Sequence, residues 1–192
     1  MPLLRLEHSP AAYCADFVLY AAASVAMALT LVFTSPTGMG TRLTAWALAG
    51  GVAWTPVEYL LHRFVLHGVA PFDRWHAEHH RRPTALIGSP TLISASLFAI
   101  LAFMPAWAAA GLWPATALTF GLVSGYLAYG LTHHATHHAV PWLGRNNAWL
   151  ARRRRWHALH HAARAGLAPL GHYGVSSGLW DQVFGTEHIR KT

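Results

Sequence analysis

The sequence predicts an all-α integral membrane protein, a four-helix bundle with a cytosolic, histidine-rich cap. Three observations carry that prediction. Apolar residues make up 54% of the 192-residue chain and charged residues only 11%, whereas a soluble domain carries about 25% charged residues. The apolar residues fall into four runs close to the roughly 20 residues that span a bilayer as a helix. The chain also holds 15 histidines, and most stand in clusters that begin where those runs end.

The first run covers residues 11–33 and has Asp16 near its start. The second covers 43–61, the third 86–110 and the fourth 112–131. The breaks are short: "TSPTGMGT" follows the first run, and "GLWP" makes a tight helical hairpin between the last two. No linker and no solenoid-type repeat divides the chain, so residues 1–192 read as one domain.

Charge orients the runs. The chain has 14 Lys+Arg against 7 Asp+Glu, and Lys191 is the only lysine. Arg63, Arg74, Arg81 and Arg82 lie between runs two and three; Arg145, Arg152 to Arg155, Arg164, Arg190 and Lys191 follow run four. Only Arg42 falls on the other side. Basic loops stay in the cytosol, so both termini and the loop between runs two and three are expected there. In a chain this apolar the basic excess suits anionic headgroups, and nucleic acid is not expected as a partner. The Ala- and Arg-rich, Lys-poor composition points to a bacterial inner membrane. A single cysteine, Cys14, excludes an internal disulfide and a thiolate metal cluster. No cleavable signal peptide is evident.

Every histidine cluster falls on the predicted cytosolic side. Imidazole is the commonest metal ligand near neutral pH, and helix residues three or four apart share a face. That spacing joins His76 with His79 and His80, His133 with His137, and His157 with His160 and His161. His62 and His67 are five apart, so they need a distorted last turn or two different metals. These ten exceed what one metal takes, and two metals with about five imidazoles each fit better. The donor set suits zinc, copper, iron and nickel alike.

His134, His138 and His172 are lesser metal candidates. His8 and His188 read as surface residues. Glu58 lies inside run two, one turn before His62, where a charge is expensive. There it is expected to accept a hydrogen bond from a liganded imidazole. Asp181 and Asp73 are lesser candidates for the same role.

The order His62-x4-His67, His76-x2-His79-His80, His133-x3-His137, His157-x2-His160-His161 resembles the fatty acid hydroxylase / sterol desaturase superfamily. So do "YGVSSGLWDQVFGT" (173–186) and "HHRRPTALIGSPT" (79–91). The resemblance covers residues 55–187 and is nearest to the fatty acid 2-hydroxylases, whose ten ligands map onto the ten histidines above. It implies two iron ions, with zinc a possible substitute, and O2-dependent attack on a lipid C–H bond near the headgroup. It also implies a separate electron donor, cytochrome b5 or a ferredoxin with its reductase, because no cytochrome b5 domain precedes run one. One departure is the 19-residue segment 138–156 between His137 and His157.

The carotenoid ring hydroxylases and the sterol desaturases or oxidases stand behind that reading on the same scaffold. A non-enzymatic membrane metal-binding protein is the rival of another class. Transporters place their sites near the bilayer midplane, and these histidines crowd one face.

Overall fold

The computed structural model describes residues 7–140, 147–167 and 169–187. Arg145, His188, Arg190 and Lys191 of the charge and histidine readings lie outside them. The described residues are helical; apart from one isolated bridge, Glu7 to Ile87, they contain no strand.

Helix α1 spans Pro10–Thr34, capped by the Ser9 hydroxyl, which accepts from the Ala12 amide at 3.3 Å. Helix α2 spans Gly40–Leu60 and continues as a π-helical segment, Leu61–Leu66. Helix α3 is Phe72–Arg81. Helix α4, Thr91–Leu97, runs through a second π-helical segment, Phe98–Phe103, into α5, Met104–Ala110. Gly111, at φ 87°, turns the chain into α6, Leu112–His137. Helix α7 spans Ala148–Arg164 and α8 spans Leu179–Val183.

The third run is helical only from Thr91, not from residue 86. Pro90 confines Ser89 to extended backbone, and the stretch before it is otherwise engaged: the Leu86 carbonyl accepts from the His8 amide at 2.9 Å. Two helices, Pro10–Thr34 and Thr91–Ala110, are long and apolar enough to cross a bilayer. Helices α2 and α6 cover the other two runs but are interrupted by Gly, Thr, Pro and His.

The chain divides into two compact units. Residues 1–54 and 86–127 form the first; 55–85 and 128–192 form the second. In the first, Tyr20 anchors a small polar and aromatic core. Its hydroxyl lies 2.6 Å from that of Ser94, and its ring meets Tyr126 edge-on at 4.9 Å. Asp16 is engaged there as well, accepting from the Thr91 hydroxyl at 2.6 Å. Outside this core the unit exposes large apolar side chains, among them Val25, Val32, Phe33, Leu48, Val52 and Leu101.

The second unit holds all the clustered histidines. Helix α7 is capped by the Asn147 side chain, which accepts from the Leu150 amide at 2.9 Å. Arg152 to Arg155 do not act as one headgroup-facing run. Arg153 is buried with its guanidinium 4.1 Å from the centre of the Trp156 ring. Arg154 donates from Nε to the Ala135 carbonyl at 2.9 Å, near the end of α6, where a cation is favoured. Only Arg152 and Arg155 are exposed.

Candidate metal centre

Four elements bring the ten histidines together. His62, His67, His76, His80 and His160 form one group whose candidate ligand nitrogens all lie within 4.8 Å of one another. His79, His133, His137 and His157 form a second by the same measure. His161 stands beside the second group, with Nε2 3.1 Å from Nε2 of His157 and its ring stacked 4.2 Å from that of His80.

Local geometry explains the sorting. The π-helical segment 61–66 has about 4.4 residues per turn in place of 3.6, because its bonds run i to i+5. His62 and His67, five apart, therefore align, with rings 5.2 Å apart in the same group. On α3, His76 and His80 face the first group while His79 faces the second. On α7, His160 faces the first and His157 the second. Each of these helices serves both groups.

The Nε2 atoms meet at short range: His62 to His76 at 3.0 Å, His67 to His160 at 3.1 Å, His76 to His80 at 3.1 Å. In the second group His79 and His133 are 3.1 Å apart, and His137 and His157 2.8 Å. A metal about 2.1 Å from each nitrogen would set right-angled ligands about 3.0 Å apart. The donor set therefore fits two metals.

Two tautomers follow from the backbone. Nδ1 of His62 faces the Tyr173 carbonyl at 2.5 Å, and Nδ1 of His160 faces the Gly171 carbonyl at 2.9 Å. A carbonyl only accepts, so each Nδ1 carries the proton. Each Nε2 then presents a lone pair to its cluster, the form a metal requires.

Burial keeps the rings neutral. His67 and His137 are pushed down to about 4, and His79 and His160 to about 3, chiefly by desolvation. His76, His80 and His157 are lowered further by burial and by neighbouring imidazoles.

Glu58 occupies a different place from the expected one. The nitrogen of His62 that it would hold is given to Tyr173. The buried Glu58 carboxylate accepts from the Val175 and Ser176 amides at 2.7 and 2.8 Å and from the Ser176 hydroxyl. Asp181, fully buried, accepts from the Tyr173 and Gly174 amides at 2.8 and 2.7 Å and from the Thr186 hydroxyl at 2.7 Å. Gly174 is required there, since a Cβ would lie 1.9 Å from the Ser177 carbonyl oxygen. Asp73 accepts from the Arg74 amide at the start of α3.

His134 and His138 stack on each other at 4.4 Å and join neither group. His172, buried at φ 56°, also joins neither; its ring lies 5.7 Å from that of Trp156. The carbonyls of Gly171 and Tyr173 were not foreseen, because a backbone acceptor leaves no mark in residue type. The Tyr59 hydroxyl was also missed; it takes a bond from Arg63 at 2.7 Å and lies 3.0 Å from the Thr186 hydroxyl.

Comparison with known proteins places this arrangement. The fatty acid hydroxylase family profile matches residues 47–186. The chain belongs to the fatty acid hydroxylase family. Two dihydroceramide fatty acyl 2-hydroxylases of Arabidopsis thaliana are 32% and 36% identical to this family member, over 71% and 69% of its length. A ceramide very long chain fatty acid hydroxylase of Schizosaccharomyces pombe is 31% identical over 73%. The chain spans 58%, 56% and 41% of those relatives' lengths. A solved structure described as full-length scs7p, with only the hydroxylase domain visible, shares the fold. Its TM-score is 0.71 at 19% identity, covering 97% of this chain and 69% of that one.

Proposed function

We propose that this fatty acid hydroxylase family member hydroxylates a lipid C–H bond, the 2-position of a fatty acyl chain, with O2 at a histidine-held di-iron centre. The observation that carries the reading is the gathering of nine imidazoles into two groups spaced for metal binding, with His161 beside the second. The relatives, all acyl or fatty acid hydroxylases, support the substrate class.

Bound iron would supply O2 activation and a redox cycle, which zinc lacks. The protein's own part is positional. The π-helical segment aligns His62 with His67, the Tyr173 and Gly171 carbonyls fix two tautomers, and burial keeps the ligands unprotonated. The reaction places one oxygen atom of O2 in the lipid and the other in water, so it consumes two electrons and two protons. A separate donor, cytochrome b5 or ferredoxin with its reductase, would deliver the electrons.

The membrane reading rests on two apolar, bilayer-length helices and on the apolar side chains exposed around them. With α2 and α6 they would make a four-helix membrane bundle, one hydroxylase domain over residues 1–192. The exposed Arg74, Arg81, Arg82, Arg152, Arg155 and Arg164 suit a cytosolic, anionic surface.

Whole-cell lipidomics tests the function. A host expressing the wild type, supplied with iron and a donor, should accumulate acyl chains that gain one oxygen at carbon 2. A host expressing His137→Ala should not. Lipids that lose two hydrogens would make the protein a desaturase. Unchanged lipids despite bound iron, a working donor and added ceramide or fatty acid would count against the enzyme.

A further inference from the structure

We propose that residues 171–187 form a brace that orients the ligands of only one histidine group, so the two metals depend on the C-terminal segment unequally. The proposal rests on the two-metal reading above.

Both imidazole tautomers fixed by backbone belong to the first group, His62 through Tyr173 and His160 through Gly171. Among the described residues, no hydrogen bond from 171–187 reaches His79, His133, His137 or His157. Nδ1 of His79 and of His157 is buried without a hydrogen-bond partner among those residues. The second group is carried by α3, α6 and α7.

Two buried carboxylates clamp the brace. Asp181 takes the amides of Tyr173 and Gly174, and Glu58 takes those of Val175 and Ser176. Four successive amides, those of residues 173 to 176, are thus committed, and the Gly174 amide shares its peptide with the Tyr173 carbonyl. Thr186 closes the far end. Its amide donates to the Asp181 carbonyl at 2.7 Å, and its own carbonyl accepts from the His172 amide at 3.0 Å. The Tyr173 carbonyl therefore cannot turn without breaking bonds to a buried charge. An Asn at position 181 would keep the shape but offer one amide oxygen and one NH2 group to two N–H donors. The clamp would open on one side, and His62 would lose its fixed orientation. Glu58 and Asp181 are positioning residues, each one peptide or more removed from the metals.

The test uses the 192-residue chain in detergent, stripped with chelator and titrated with Zn2+, which is redox-silent. Metal per chain and both dissociation constants are read by elemental analysis and a competing chromophoric chelator. The wild type should bind two Zn2+. Asp181→Asn should bind one as the wild type does and the other about tenfold to a hundredfold more weakly, the usual effect of losing a partner that orients a ligand. Single-site backgrounds assign the weak site. Combined with His157→Ala, which disables the second group, Asp181→Asn should weaken the remaining metal. Combined with His76→Ala, it should leave the remaining metal unchanged.

Equal weakening of both sites, weakening of the second group alone, or no effect would overturn the brace while leaving the two-metal reading intact. A wild type that bound no metal would overturn both. If Asp181→Asn does not fold, Ser176→Ala replaces it. That variant removes one hydroxyl bond to Glu58 and should shift the same site in the same direction by less.

Discussion

At the scale of single residues, burial decides the charge of the histidines. A free imidazole titrates near 6.5, yet desolvation holds His67 and His137 near 4 and His79 and His160 near 3. The folded state therefore binds fewer protons than the unfolded chain between pH 6.5 and about 4. By linkage, stability rises with pH across that window. The contribution is complete above 6.5 and is lost as the pH falls towards the folded values. Metal-free protein in detergent should keep a constant melting temperature from pH 8 to 7 and lose it progressively from about 6.5 to 4. A melting temperature that rose on acidification would sink this account. Residue type made eight of the ten histidines legible, because three- and four-residue spacings leave a countable mark on a helix; His62 and His67, five apart, left none. It could not show that Glu58 reaches Val175 and Ser176, since those partners lie far away in sequence.

At the scale of elements, the departures from regular geometry do the sorting. The spacing of His62 and His67 was ambiguous on a straight helix, and the π-helical segment removes the ambiguity by widening the turn. Nothing in "LHRFVLH" marks that change, which comes from the bond pattern of the backbone. Helix α7 is the other decisive element, because it delivers His157, His160 and His161. Its sequence carries four consecutive arginines, and like charges one turn apart on a helix, such as Arg152 and Arg155, repel. The Asn147 cap and the Arg154 bond to the Ala135 carbonyl offset part of that penalty. Asn147→Ala should cost about 1 kcal/mol, the usual worth of such a cap. It should lower the denaturation midpoint of the metal-free protein without changing the number of metals bound. A change in metal stoichiometry instead would mean that the cap shapes the site directly.

At the scale of the whole molecule, the distribution of charge predicts which side of a membrane each segment would face. The segment between α1 and α2, residues 35–39, carries no charge, and Arg42 is the only basic residue close to it. Every other arginine among the described residues from Arg63 onward lies in the unit that holds the histidines. Basic segments are retained in the cytosol and uncharged short loops cross readily, so residues 35–39 should face outwards. The lone cysteine makes this testable, because Cys14→Ser leaves a cysteine-free chain. In that background Thr37→Cys and Arg81→Cys place single thiols at exposed positions in the two regions. A membrane-impermeant maleimide applied to intact bacterial spheroplasts should label Thr37→Cys at once. It should reach Arg81→Cys only after the membrane is permeabilised. The reverse pattern would invert the topology and put the histidines away from the cytosolic donors of electrons. Labelling of both in intact spheroplasts would remove the membrane barrier between them, and with it the four-span reading. The protected thiol at position 81, on the helix that supplies His76, His79 and His80, would place the metal centre where reduced carriers are found.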